Sequence, residues 1–124
     1  MNTLVIGASL KPVRYSYQAI KSLKDNNFKV YAIGTMEGKV EGIEISTGFP
    51  EFENIHTILL YINPQNQKKY YDYIIELKPK RIIFNPGTVN NELINIAKKH
   101  DINVVIDCAL NMILNNSYLN LIPG

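Results

Sequence analysis

A short loop near the start of the chain combines small residues, cations and hydroxyl groups. Gly7, Ala8 and Ser9 end an apolar run, and Lys11 and Arg14 follow within a few positions. In a parallel α/β sheet, a loop of this kind brings backbone N–H groups and the start of a helix to a bound phosphate. We therefore expect a site for the diphosphate of a nucleotide-type cofactor, and its remaining members are Pro12, Tyr15 and Ser16.

Two other phosphate-binding motifs are absent from this loop. The G-x-G-x-x-G fingerprint of dinucleotide-binding domains needs two further glycines after Gly7 and an acidic residue at the end of the second strand. Ser9 and Pro12 occupy the glycine positions, and the first acid, Glu37, lies beyond the predicted strand. The P-loop pattern G-x-x-x-x-G-K-[ST] is also missing. The missing glycines therefore argue against NAD(P). An NAD(P)-binding or other adenine-nucleotide-binding protein is kept as the alternative interpretation.

Strands and helices alternate along the chain, which is typical of a parallel sheet covered by helices. Buried strands are predicted at residues 3–6, 28–33, 57–62, 81–84 and 103–106, and helices at 16–24, 64–77 and 91–99. Residues 107–124 are expected to add one or two helical turns. We expect one α/β domain over residues 1–124, with a doubly wound, five-stranded parallel sheet in the order 3-2-1-4-5.

Capping residues locate two of the predicted helix starts. Ser16 is expected to cap the first helix, and Asn63 followed by Pro64 is typical of a helix that begins after the third strand. The segment 34–56 lacks a helical period. It is expected to contain a short strand or hairpin at 40–45 and is a candidate flap over the ligand.

The predicted strand order places the first and fourth strands side by side, at the point where the strand order reverses. Ligands of doubly wound folds bind at that point, outside the carboxyl ends of the strands. We therefore expect Gly7-Ala8-Ser9 to face Asn85-Pro86-Gly87, the turn that follows the fourth strand.

Residues 7–16, G-A-S-L-K-P-V-R-Y-S, resemble the G-A-S-x-K-P-x-R-x-S signature of the small stand-alone CoA-binding proteins. The resemblance extends over about residues 3–107. It implies a Rossmann-like domain similar to the CoA-binding domain of succinyl-CoA ligase alpha subunits. It also implies that the loop holds the diphosphate of coenzyme A or an acyl-CoA, with Lys11, Arg14 and Ser16 completing the anion site.

The same resemblance implies positions for the rest of the ligand. The turn after the second strand meets the adenosine and its phosphorylated ribose in this family. Where family members often carry Asn-Pro and a basic residue, this chain has Gly34-Thr35, and Lys39 is the candidate cation for the ribose phosphate. Asn63-Pro64 and Asn85-Pro86-Gly87 follow the strands that line the cleft in the family.

Residue sets typical of catalysis or of a metal site are not found. The sequence shows no Ser-His-acid set, and its two histidines have no cluster of carboxylates or cysteines nearby. Cys108 is interpreted as a small buried residue or as a thiol that forms a mixed disulfide with CoA. The expected function is CoA or acyl-CoA binding without autonomous catalysis. The alternative is an accessory subunit of an acyl-CoA ligase, and we expect a homodimer or such an enzyme as partner.

Composition excludes several other classes of function. A net charge of +2 does not indicate a nucleic-acid or membrane partner. One cysteine leaves no internal disulfide and favours a reducing, cytoplasmic location. The first residues do not resemble a signal peptide, and no apolar run approaches the length of a membrane span.

Overall fold

The computed structural model describes residues 1–119. Its strands are β1 (Asn2–Ala8), β2 (Lys29–Gly34), β3 (Gly38–Val40), β4 (Ile43–Ser46), β5 (Ile55–Leu60), β6 (Arg81–Phe84) and β7 (Asn103–Ile106). Its helices are α1 (Tyr15–Asp25), α2 (Pro64–Gln67), α3 (Tyr71–Leu77), α4 (Asn91–Lys99) and α5 (Ala109–Leu114). A 3₁₀ segment, Lys68–Tyr70, joins α2 to α3, so the helix predicted at 64–77 is broken in its middle.

The strands form one sheet in the order β3-β4-β2-β1-β5-β6-β7. Every neighbouring pair is parallel except β3 with β4, which confirms the α/β class with a mainly parallel sheet. The predicted five-stranded order 3-2-1-4-5 is wrong. β4 pairs with β2 through Ala32 opposite Ile45 and Ile33 opposite Ser46. Because β4 occupies that side of β2, the next strand, β5, pairs with the free side of β1.

The segment predicted as a short strand or hairpin at 40–45 belongs to the sheet. It forms β3 and β4, which pair antiparallel at one edge. The longest irregular stretch of the predicted flap is therefore residues 47–54, with short turns at 35–37 and 41–42.

Side chains of β1 alternate between two hydrophobic cores. Leu4 and Ile6 pack in the core under α3 and α4, whereas Val5 packs in the core under α1 and α5. All three side chains are fully buried. Strands that are apolar on both faces are typical of the centre of a parallel sheet covered by helices. The two helical layers cover both faces of β1. Its carboxyl end lies at the side of the sheet where the parallel strands end.

Asparagines mark the ends of two helices. Asn63 Oδ1 accepts a hydrogen bond of 2.9 Å from the N–H of Asn66, and Pro64 is the first residue of α2, as predicted. α1 ends before Asn27, whose φ of 65° is the left-handed conformation common after a helix. These local signals therefore set the boundaries of the elements around the candidate site.

Arg81 is buried at the opposite, amino-terminal edge of the sheet. Its Nε donates to Thr57 Oγ1 at 2.8 Å, and its Nη2 donates to the carbonyl oxygen of Tyr118 at 2.6 Å. The guanidinium also lies 4.7 Å from the centre of the Tyr118 ring. The Tyr118 hydroxyl is 2.8 Å from Thr3 Oγ1. These contacts attach the segment after α5 to β1, β5 and β6.

The predicted helical turns at 107–124 are observed in part as α5. Residues 120–124 of that stretch lie outside the described residues. Within residues 1–119, every helix is too short or too polar to cross a membrane.

Candidate functional site

Gly7 lies where the carboxyl ends of the parallel strands meet. The pairing of β1 with β2 shifts register between Ile6 and Ala8, so the backbone bulges at Gly7. Gly7 has a φ of 97°, and a Cβ atom there would lie 2.8 Å from Cγ2 of Ile62. Both the backbone conformation and the contact with the segment after β5 therefore require glycine.

The strand next to β1 at this edge is β5, and not the strand that carries the Asn85 turn. The strand order reverses between β1 and β5, and the crevice of a doubly wound fold opens at that switch point. The segment that faces Gly7 is consequently Tyr61-Ile62. The turn after β6 is one strand further away, about 10 Å from β1 at ordinary strand spacing. The predicted direct apposition of Gly7-Ala8-Ser9 with Asn85-Pro86-Gly87 is therefore wrong.

The loop between β1 and α1 is held by its own hydrogen bonds. Ser9 Oγ accepts from the N–H of Lys11 at 3.1 Å, and the carbonyl oxygen of Lys11 accepts from the N–H of Arg14 at 3.0 Å. Gln18 Nε2 donates to the carbonyl oxygen of Pro12 at 2.6 Å. Lys11 and Arg14 are exposed, and neither forms an ion pair with an acidic side chain in residues 1–119. An ordered loop thus presents two cations to solvent.

α1 begins without a side-chain cap. Arg14 precedes the helix in an extended conformation, and its side chain makes no capping hydrogen bond. The prediction that Ser16 caps α1 is wrong, because Ser16 is the buried second residue of the helix. Within residues 1–119, the N–H groups of Tyr15, Ser16 and Tyr17 therefore have no capping side chain. First-turn N–H groups of this kind bind anions, and the cations of Lys11 and Arg14 are adjacent in the chain.

The end of β2 touches the end of β1. A Cβ atom on Gly34 would lie 2.5 Å from the carbonyl oxygen of Ala8, so glycine is needed for this close approach. Thr35 follows directly and is exposed. Gly34 and Thr35, predicted to meet the adenosine, therefore lie beside the loop that starts at Ala8.

The β3–β4 hairpin also packs on this loop. A Cβ atom on Gly38 would lie 2.6 Å from Cδ2 of Leu10, which shows direct contact between the hairpin and the loop. Lys39 follows Gly38, is exposed, and pairs opposite Glu44 in the antiparallel register. The predicted ribose-phosphate cation is thus carried by a hairpin in contact with the β1–α1 loop.

Gln67 joins the loops that follow β5 and β6, and nothing in the sequence singles it out. Its side chain is fully buried, and its Nε2 donates to the carbonyl oxygens of Ile62 at 2.9 Å and Thr88 at 2.8 Å. Its Oε1 accepts from Asn90 Nδ2 at 2.9 Å. This bridge sets the distance between the Asn63-Pro64 segment and the turn after β6. A glutamine in a short helix resembles a solvated residue, so only the three-dimensional structure reveals its role.

Asn85 uses its side chain inside the protein. Its Nδ2 donates to the carbonyl oxygen of Leu60 at 2.9 Å, and its Oδ1 accepts from the N–H of Ala109 at 2.8 Å. Pro86 and Gly87 are exposed, and Gly87 has the φ of 85° that the third position of a type II turn requires. The Asn85 side chain therefore connects the end of β5 to the start of α5, whereas Pro86 and Gly87 lie exposed in the turn after β6.

Tyr61 carries a hydroxyl that is buried and, within residues 1–119, has no hydrogen-bond partner. Burial raises the pKa of this hydroxyl, with a smaller contribution from Cys108, so it is protonated at neutral pH. Cys108 is half-buried just before α5. An unsatisfied buried hydroxyl costs about 1–3 kcal/mol. Tyr61 packs against the core under α1 and α5, so this hydroxyl is an unpaired polar atom just after β5 in the described part of the chain.

Comparison with known proteins supplies a family. The model of the family described as CoA binding domain matches residues 1–113. The crystal structure of an uncharacterized protein is similar, with 43% identity, a TM-score of 0.90, and coverage of 94% of this chain and 96% of that chain. A search among curated proteins found no match.

Two more distant structures share the fold alone. A hypothetical protein from Pyrococcus horikoshii OT3 has 22% identity and a TM-score of 0.80, covering 88% of this chain and 78% of that chain. A dinucleotide-forming acetyl-coenzyme A synthetase 1 from Ca. Korarchaeum cryptofilum, in complex with phosphate and ADP, has 16% identity and a TM-score of 0.71. That alignment covers 86% of this chain but 25% of the synthetase chain. Since the family model spans nearly the whole described range, the chain belongs to the CoA binding domain family, as the resemblance in residues 7–16 predicts.

Proposed function

We propose that this protein binds coenzyme A or an acyl-CoA, with the diphosphate at the loop of residues 7–16. The observation that carries the proposal is the uncapped start of α1 directly after a loop with two exposed cations, Lys11 and Arg14. CoA carries a diphosphate and a ribose phosphate. Backbone N–H groups and charged donors are the groups that bind such oxygens most strongly. Membership of the CoA binding domain family supports the same ligand.

The remaining predicted residues take the other parts of the ligand in this proposal. Gly7, Ala8 and Ser9 contribute backbone and hydroxyl groups to the diphosphate, and Pro12 shapes the loop. Tyr15 lies exposed at the helix start. Gly34, Thr35 and Lys39 take the adenosine and its ribose phosphate, whereas Asn63-Pro64 and Pro86-Gly87 line the rest of the crevice.

The proposed role is binding without bond cleavage. The loop offers backbone donors, cations and hydroxyl groups, all of which hold and orient a phosphate ligand. Cys108 is half-buried just before α5, and within residues 1–119 its thiol forms no hydrogen bond with a histidine or a carboxylate. The CoA thiol or thioester itself supplies the reactive group when bound, and the protein positions it.

Thermal unfolding with and without ligand tests the proposal. A ligand at about 100 times its Kd stabilises the folded state by about 2.7 kcal/mol, which raises the Tm. CoA or acetyl-CoA is expected to produce this rise in the wild type, and the double variant Lys11→Ala/Arg14→Ala is expected to lose it. The matched control, Lys98→Ala/Lys99→Ala, removes two exposed cations from α4 and should keep it.

Two outcomes contradict the proposal. The first is a wild-type Tm that neither CoA nor acetyl-CoA changes. The second is a larger rise in Tm with NADPH than with CoA, which favours the alternative of an NAD(P)-binding protein. Native mass spectrometry of freshly purified protein adds an independent measurement, because a retained ligand is identified by its mass.

A second candidate is an accessory CoA-binding subunit of an acyl-CoA ligase. The fold similarity to a quarter of an acetyl-CoA synthetase chain favours it, since the same fold forms part of a larger enzyme there. Affinity purification from the native cells should then recover a ligase subunit in stoichiometric amount. Recovery of this chain alone contradicts the subunit role and leaves the binding proposal intact.

A further inference from the structure

An open groove of about 700 Å³ lies between residues 49–53 and α3. Phe49, Phe52 and Tyr73 form its aromatic wall, and none of its lining residues belongs to the CoA site. Phe49 is 54% exposed, although its ring lies 5.3 Å from that of Tyr70 and 5.5 Å from that of Tyr73. The groove therefore displays an aromatic surface to solvent.

The wall of the groove is held in place from behind. The Tyr73 hydroxyl donates to the carbonyl oxygen of Pro50 at 2.5 Å, which ties the irregular segment to α3. Burial raises the pKa of Tyr73 to about 12, so this hydroxyl stays protonated and keeps donating at neutral pH. The Phe52 ring packs 4.6 Å from the ring of Tyr31 in β2. Both contacts make the groove a largely pre-formed surface.

Negative charge is concentrated on the same groove. Four of the chain's eleven acidic residues line it, against one cation, Lys69, so its formal charge is −3, whereas the whole chain carries +2. Asp72 and Glu76 lie one turn apart on α3, where like charges repel. In residues 1–119 the acids of the groove form no ion pair. The folded chain thus keeps an uncompensated acidic surface that a cationic partner would neutralise.

We propose that this groove docks an arginine-bearing segment of a protein partner. The wall runs along the 3₁₀ segment and α3 from Lys69 to Leu77, about 12 Å at roughly 1.5 Å per residue. That length matches about four residues of an extended peptide. A guanidinium stacks on an aromatic ring and donates to carboxylates at the same time, so arginine uses both features of the groove.

The distribution of the acids argues against a metal ion in this groove. Within residues 1–119, no three His, Cys, Asp or Glu side chains come together closely enough to hold one. The charges are instead spread between the two walls, Glu51 and Glu53 on the loop and Asp72 and Glu76 on α3. Carboxylates on two opposite walls can pair with several cationic side chains of one bound peptide, whereas a metal ion needs its ligands close together.

A titration followed by ¹H–¹⁵N NMR of the full chain tests this proposal. The probe is the peptide acetyl-Arg-Leu-Arg-Leu-amide, and the control probe carries citrulline, an uncharged isostere, at both arginine positions. The arginine peptide is expected to shift the amide signals of residues 49–53 and 69–77 saturably. The double variant Asp72→Asn/Glu76→Gln is expected to weaken binding about tenfold, which corresponds to about 1.4 kcal/mol. The matched control Glu37→Gln/Glu44→Gln removes two exposed acids elsewhere and should bind as the wild type does.

Three results overturn the proposal. They are the absence of localised shifts with the arginine peptide, equal binding of the citrulline peptide, and equal binding to the carboxamide double variant. A spermine titration forms a further arm, and tighter binding of spermine than of the peptide would assign the groove to small polycations instead. The CoA-induced rise in Tm is also measured on Asp72→Asn/Glu76→Gln, which lies outside the proposed CoA site, and is expected to be unchanged, so the two proposals succeed or fail separately.

Discussion

The carbonyl oxygen of Ala8 lies 2.5 Å from the position that a Cβ atom on Gly34 would occupy. Ala8 and Gly34 are also paired in the parallel register of β1 and β2. This contact joins the proposed diphosphate loop to the turn proposed to meet the adenosine. A glycine at this position is therefore needed for the spacing of the two strand ends, independently of any ligand.

The variant Gly34→Ala is expected to be destabilised by about 1–3 kcal/mol, because the added methyl group forces two backbones apart. Urea unfolding measures this as a lower midpoint with an unchanged slope. The neighbouring variant Thr35→Ala, at an exposed position, is the control and should stay within about 0.5 kcal/mol of the wild type. A Gly34→Ala protein as stable as the wild type would show that the strands separate without cost.

Local patterns predicted the elements that depend on local signals. The apolar run at residues 3–6, the Asn63-Pro64 helix start and the strand at 81–84 are all observed at or close to the predicted positions. Each depends on neighbouring residues alone: a run that is apolar on both faces, a side chain that caps, or a proline that fits a first helical turn.

The strand order could not be predicted in this way, because it depends on competition for pairing partners. The strand or hairpin at 40–45 is predicted, but nothing in the local sequence shows that Ile45 pairs with Ala32 of β2. That pairing displaces β5 to the other side of β1, which changes the residues that face Gly7. Ser16 shows a similar limit, since a capping residue type does not identify the helix start when Arg14 precedes it in an extended conformation.

Replacing Gln67 with leucine is expected to destabilise the protein by about 1–3 kcal/mol, because the buried carbonyl oxygen of Thr88 and the half-buried one of Ile62 both lose their donor. The exposed Gln65 on the same helix offers a matched control, and Gln65→Leu should change the free energy of unfolding by less than about 0.5 kcal/mol. Chemical denaturation compares the two. Equal stabilities would mean that the amide bridge contributes nothing beyond packing.

Tyr118→Phe is expected to cost about 1 kcal/mol, because it leaves the buried Thr3 hydroxyl without the 2.8 Å hydrogen bond to Tyr118. The phenyl ring keeps its contact with Arg81 and its edge-on packing against Phe28, so only the polar contribution is removed. Tyr15→Phe, at a 71% exposed position, is the control and should leave the free energy of unfolding unchanged. A Tyr118→Phe loss above about 3 kcal/mol would point to loss of packing of the whole segment after α5.

The free energy of unfolding is expected to decrease as the pH is lowered below about 6.5, and His56 is one cause. Burial lowers the pKa of His56, and the cations of Arg81, the amino terminus and Lys80 lower it further. The unfolded chain therefore binds a proton at His56 more readily than the folded chain does. The contribution of His56 to the free energy of unfolding is fully present at a pH above its pKa in the unfolded chain. It is lost as the pH falls from there toward the pKa of His56 in the folded chain.

The local hydrogen bonds support the neutral form of His56. Thr57 Oγ1 accepts from Arg81 Nε and lies 2.8 Å from Nδ1 of His56, so the threonine hydroxyl can donate to an unprotonated imidazole nitrogen. The variant His56→Asn keeps an acceptor near that position but does not titrate. Its free energy of unfolding should depend less steeply on pH between about 5 and 7 than that of the wild type. His100→Asn, at an exposed helix end, serves as the control. Parallel pH profiles for the wild type and His56→Asn would assign the acid sensitivity to other groups.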